Sequence, residues 1–142
     1  MKEEWKTTNS PKSEKRSDPG CLKLNQEEII VVGGYGETAG LDEEIILKSS
    51  EIYNIKHNSW RPGPDLPKGI KDAQFVNAKP GFRYSGYLIG GKGDDGHSSE
   101  IYGLIYGSDG LDTFKKIGDI KRSRRLHVAM VLPENTSQKC DE

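Results

Sequence analysis

Apolar residues in this chain come in short clusters, and glycine pairs punctuate them. The β-branched run Ile29-Ile30-Val31-Val32 leads into Gly33-Gly34, and Tyr87-Leu88-Ile89 leads into Gly90-Gly91 in the same way. A run this short and this rich in β-branched residues predicts a strand buried on both faces. A glycine pair at its end predicts a backbone turn approached too closely for any side chain. The flanking clusters predict further strands. Residues 21–24 form a first strand, 29–32 a second and 50–55 a third, and the Asn58-Ser59 turn leads into a fourth at Trp60. Residues 75–76 and 84–89 repeat the first two, 99–106 repeats the third, and 126–132 resembles another first strand. Apolar residues nowhere recur with helical spacing without a glycine or proline interrupting them, so the expected class is all-β.

The copying extends beyond the glycines. Ser49-Ser50-Glu51-Ile52-Tyr53 returns letter for letter as Ser98-Ser99-Glu100-Ile101-Tyr102. Trp60 has counterparts in Trp5 and Phe114, and at one constant interval after these three aromatics stand the cations Arg16, Lys71 and Arg125. A diglycine, a tyrosine and then a large aromatic, recurring about every 50 residues, is the mark of a repeat array. On these residues the chain resembles the kelch-repeat β-propellers, in which each repeat is one four-stranded antiparallel blade. The matching marks are Gly33, Gly34, Tyr53 and Trp60 in one blade and Gly90, Gly91, Tyr102 and Phe114 in the next, with Arg125 opening a third. The implied division is a polar arm or blade tail over 1–20, blades over 21–66 and 70–120, the first strand of a further blade over 121–132, and a disordered tail over 133–142. The second copy departs from the pattern: the interval from Tyr102 to Phe114 is longer than that from Tyr53 to Trp60, and Lys71 stands where an arginine is expected.

Composition narrows the function. Of 142 residues, 32% are apolar and 30% charged, with 17 glycines, which suits short strands joined by many turns better than one large core. A formal net charge of −1 gives no global field toward nucleic acid or a membrane surface. The first residues lack the apolar core of a secretory signal, and Cys21 and Cys140 alone make no disulfide framework, so a cytoplasmic setting is expected, with the nucleus as an alternative.

In a four-stranded meander, the link between strands two and three lies at the same rim as the link from strand four to the next blade. Residues 35–48, 61–71, 92–97 and 115–124 therefore share one face, which collects the longest polar loops. Binding residues concentrate on such loops. The basic cluster Lys121-Arg122-Ser123-Arg124-Arg125 offers Arg122 and Arg124 as contacts, since a guanidinium can hold a carboxylate with two hydrogen bonds. Asp94, Asp95 and His97 lie on the same face. Their glycine-rich surroundings read as a hydrophilic turn, so no metal is expected there. Trp5, Trp60 and Phe114 read as core residues packed between neighbouring sheets, not as a stacking platform.

No nucleophile elbow, phosphate loop or other catalytic motif appears, so neither catalytic residues nor cofactors are expected. The expected function is a protein-interaction module that binds an unidentified protein partner on its loop face, without nucleic acid or membrane. The resemblance further suggests the recognition part of a ubiquitin-ligase adaptor, with a piece of a propeller oxidase or sugar-acid epimerase, or an actin cross-linker, as alternatives. Two blades leave open apolar faces. The first expectation is thus a piece of a longer protein, and the second is self-association through those faces.

Overall fold

The computed structural model describes residues 14–38, 44–107 and 112–130. Trp5 and the expected tail over 133–142 lie outside them. The described residues are all-β, with thirteen strands and no helix. The first four-stranded sheet contains β2 (Gly20–Lys23), β3 (Glu28–Val32), β6 (Ser50–Asn54) and β7 (Ser59–Pro62), antiparallel in the order β2-β3-β6-β7. The second contains β8 (Gln74–Asn77), β9 (Gly86–Ile89), β12 (Glu100–Ile105) and β13 (Thr113–Asp119) in the equivalent order β8-β9-β12-β13. These are two blades of the kind that the glycine pairs predict.

Beside these sheets, in the links and the first lead-in, lie elements that hydrophobic patterning largely does not reveal. The polar stretch before Pro19 supplies β1 (Glu14–Ser17), which pairs with β4 (Tyr35–Thr38) and, through it, β5 (Glu44–Ile46). The link between the second and third strands of blade 1 is therefore itself a small sheet. Its counterpart in blade 2 is the hairpin of β10 (Lys92–Gly93) and β11 (Gly96–His97). Residues 121–130, expected to form a first strand, lie outside every strand ladder. The expected loop over 115–124 is shorter than supposed, because β13 runs on to Asp119.

Strand alternation sorts each blade into two faces. Leu22, Ile30, Val32 and Ile52 of blade 1 meet Phe75, Leu88, Tyr102, Leu104 and Phe114 of blade 2, and Leu66, Ile70 and Ala73 of the connection complete one apolar core. Phe75 and Phe114 pack tilted at 5.9 Å between ring centroids. The sheets approach so closely at Gly86 that a Cβ there would lie 2.5 Å from Leu22 Cδ2. Phe114 is 4% exposed, as a core aromatic should be. Trp60, expected between neighbouring sheets, instead lies on the face of blade 1 turned away from blade 2, half-buried against Tyr53 at 5.0 Å between ring centroids. The strand alternation that points Ile52 inward points Tyr53 and its partner outward.

Measured from the glycine pairs, the two blades are not in the register that the repeated pentapeptide suggests. The Gly33 N–H donates to Ser49 O, whereas the Gly90 N–H donates to Glu100 O, so the second copy has slid two residues along its neighbour. A two-residue slip preserves every side-chain face, so the fold accepts it. Tyr102 therefore pairs with Leu88, while Leu104 takes the place of Tyr53, and Phe114 opposite Leu104 remains the counterpart of Trp60 opposite Tyr53. The slip accounts for part of the long interval between Tyr102 and Phe114.

The blades are also joined by backbone. Gly34 N–H donates to Ile70 O at 2.8 Å, and Asp72 N–H donates to Asp18 O at 3.1 Å. The same bonds recur one blade on: Gly91 N–H to Arg124 O at 2.8 Å and Leu126 N–H to Asp72 O at 3.2 Å. Asp18, Asp72 and Leu126 all adopt left-handed φ, at 52°, 56° and 51°. Three successive lead-in segments thus share one conformation, and Arg16, Ile70 and Arg124 occupy equivalent places. This corrects the expected cation register by one residue: Lys71 and Arg125 correspond to Ser17, not to Arg16.

Gly33 adopts φ 64°, and a Cβ there would lie 2.1 Å from Ile70 O. Gly33→Ala should cost more than about 2 kcal/mol, since strained backbone meets backbone that cannot yield. Gly118→Ala, in open space, should stay within about 0.5 kcal/mol. Urea midpoints at constant slope measure both.

Candidate loop-face binding site

The loop face begins with a buried ion pair. Arg16 and Glu51 lie 3.2 Å apart, with side chains only 5% and 6% exposed. Arg16 also donates to Gly33 O at 2.9 Å, Ser49 O at 3.0 Å and Ser49 Oγ at 3.2 Å. One guanidinium fork thereby ties β1 to the glycine turn and to the entry of β6. Such a pair is strongly destabilising to break, because the remaining charge keeps its desolvation cost. At the equivalent place Ile70 buries an apolar side chain instead, so the first lead-in is held by charge and the second by packing.

Beside this hub, Leu66 N–H donates to Lys48 O and Ile70 N–H to Leu47 O, docking the blade connection against the end of β5. A cavity of about 400 Å³ opens there, lined by Ile45, Ile46, Leu47, Lys48, Ser49, Asp65 and Gly69. Ile45 is 42% exposed. Lys48 and Asp65 face each other at 3.8 Å, both largely exposed, which makes them a screened surface pair free to exchange partners. The sequence reading missed this cavity. Its only sequence trace is the apolar triplet Ile45-Ile46-Leu47 inside an otherwise polar link.

The predicted site residues cluster around the second glycine pair. Asp94 and Asp95 are the two exposed tip residues of the β10–β11 hairpin, and His97 is exposed on β11 opposite Lys92. Arg122 and Arg124 are exposed too. The backbone brings them together: Arg124 N–H donates to Ser98 O, and Arg124 O accepts from Gly91, so Arg124 bridges the base of that hairpin. Its Nε donates to Arg122 O at 3.4 Å. Arg125 contacts Asp72 at 3.6 Å. Among the described residues no group of three or more His, Cys, Asp or Glu could hold a metal, nor is any helix long and apolar enough to cross a membrane.

Two carboxylates stiffen the inter-blade seam. Glu28 of blade 1 accepts from Tyr106 of blade 2 at 2.5 Å, from Arg61 at 3.0 Å and from Asn25 at 2.9 Å. Its pKa is lowered, chiefly by the Tyr106 hydroxyl. Burial would raise Glu100, but hydrogen bonds from Lys68, Tyr102 and Lys116 outweigh it and hold the group at about 2. Burial, then the bond to Glu100, pushes the Tyr102 phenol up.

Comparison with known proteins agrees with this architecture. Residues 25–67 match the kelch motif. The chain is 24% identical over 116 residues to an F-box/kelch-repeat protein of Arabidopsis thaliana, an alignment covering 80% of this chain and 26% of that protein. It therefore spans about a quarter of the relative's length.

Both carboxylates have folded pKa values below the ordinary value of 4.5, so their stabilisation is present above that pH and is lost as pH falls toward about 2. Denaturation midpoints should fall across this window, and Glu100→Gln should flatten the decline. Arg16→Met should cost about 3 kcal/mol at neutral pH, read from the same midpoints.

Residues 25–67 thus carry a kelch motif, and the described residues are all-β, with two four-stranded meanders of the kind that kelch blades have.

Proposed function

We propose that the chain is a non-catalytic protein-binding module whose partner is held on the loop face. The observation that carries this reading is the cavity beside Ile45, on the same rim as the exposed Arg122 and Arg124. An apolar recess supplies area for an anchoring side chain, and guanidinium groups on the same face supply directional bonds to carboxylates. Backbone bonds and the buried Arg16–Glu51 pair hold the loops from beneath, which lowers the ordering cost of binding. In its finer form the module is the recognition part of an adaptor, a reading that draws on the F-box/kelch name of the Arabidopsis relative.

The test compares two faces of one scaffold. Proteins captured from a lysate by the wild-type chain should be lost, by at least about tenfold, when Ile45→Glu is combined with Arg122→Glu and Arg124→Glu. They should be retained when Ile55→Ser and Phe82→Ser alter the opposite rim, where those residues are 46% and 63% exposed. Loss from the second variant with retention by the first would refute the loop-face assignment.

A further inference from the structure

The three lead-in segments are equivalent in backbone conformation but unequally held. Residues 70–72 sit on blade 1 through the Gly34 and Asp18 bonds, continue into β8, and bury Ile70 at 2% exposure. Residues 124–126 make the same two bonds to Gly91 and Asp72 of blade 2. Little side-chain packing supports them beyond the His127 ring, which lies against Gly90: Leu126, Val128 and Met130 are 72%, 82% and 71% exposed. Leu126 moreover spends a non-glycine residue on a left-handed φ. The seat is built for a lead-in that carries a sheet behind it.

Blade 1 possesses such a lead-in. Residues 16–18 have the same conformation, with Asp18 matching Asp72 in residue type as well as in φ. They are already fixed to blade 1 through β4 and the Arg16–Glu51 pair. The faces behind the two seats correspond as well. Val76, Tyr87 and Ile89 of blade 2 occupy the places of Leu22, Ile30 and Val32, and all three remain partly exposed, while the two-residue slip puts Gly103 in the place of Ile52. Ile29, Val31 and Tyr53 of blade 1 occupy the places of Gly86, Leu88 and Leu104, and they too remain partly exposed.

We propose that residues 124–130 are a displaceable cap on blade 2, and that a second copy of this chain takes the seat head to tail. In that contact Arg16 O of the incoming copy accepts the Gly91 N–H, and Asp18 N–H donates to Asp72 O. The sheet contact repeats the seam within the chain, with Val76 against Ile29 where Leu22 meets Gly86, and Gln74 against Val31 where Gly20 meets Leu88. These pairs are bulkier than their intrachain counterparts. The sheets therefore stand further apart, and association is weaker than the internal seam.

Sedimentation velocity on the 142-residue chain, from about 1 to about 200 µM, tests this. The wild-type chain should show concentration-dependent association. Leu126→Pro removes the donor and cannot adopt the left-handed φ, so it frees the seat and should tighten association about tenfold. Ile29→Lys and Val76→Lys each spoil one of the two faces and should each sediment as monomers, while their mixture should form a one-to-one pair and nothing larger. A wild-type chain and a Leu126→Pro chain that both stay monomeric would overturn the proposal, as they would if a continuation of the chain or another protein were the true occupant. Self-association of Ile29→Lys alone, or no pairing in the mixture of folded variants, would overturn the head-to-tail geometry.

Discussion

The structure depends on a backbone handshake. One blade's glycine turn gives an N–H to the segment that leads into the next, and that segment returns an N–H to the preceding lead-in. These donors and acceptors lie where strand ladders cannot reach them, and buried backbone groups must find partners. Glycine is required because the partner backbone lies where a side chain would begin. Once the bonds are made, the sheets must stack, and Leu22, Leu88, Leu104 and Phe114 fill the space between them.

Much of this is legible in the sequence. The glycine pairs marked the two turns, and the β-branched runs before them marked the central strands. Recurrence marked both Phe114 and Trp60 as core, and only Phe114 is buried there, since no described sheet covers the face that carries Trp60. Three features were not legible. The two-residue slip of the second pentapeptide is invisible because it leaves every side chain on its own face, and it shows only in the backbone pairing, of Gly90 with Glu100 and of Leu88 with Tyr102. Strands β1 and β4 are made largely of polar residues, so no alternation betrays them, and the apolar Ile45-Ile46 of β5 is too short a run to fix a strand rather than an apolar tip. Among the cations, counting from the aromatics chose Arg16 rightly but made Lys71 and Arg125 its equivalents; the backbone bonds place Ile70 and Arg124 there instead.

That substitution has consequences for the candidate site. A buried guanidinium holds the first lead-in, an isoleucine the second, and the third presents its arginine to solvent. Arg124 is thus released for contact by the repeat that buries Arg16. The predicted residues at the hairpin tip and the basic cluster converge because Gly91, Ser98 and Arg124 are bonded through backbone. The cavity beside Ile45 escaped notice for the opposite reason: it is made by tertiary docking of the blade connection, which no local pattern encodes.

Native-state hydrogen exchange tests the handshake most directly. The amides of Gly34 and Asp72 should exchange as slowly as those of Ile52 and Leu104, opening only with the whole two-blade unit, while Gly91 and Leu126 should exchange faster because their partner segment is thinly packed. Fast exchange at Gly34 and Asp72 beside protected strand amides would contradict the account, since the blades would then be independent sheets that merely touch.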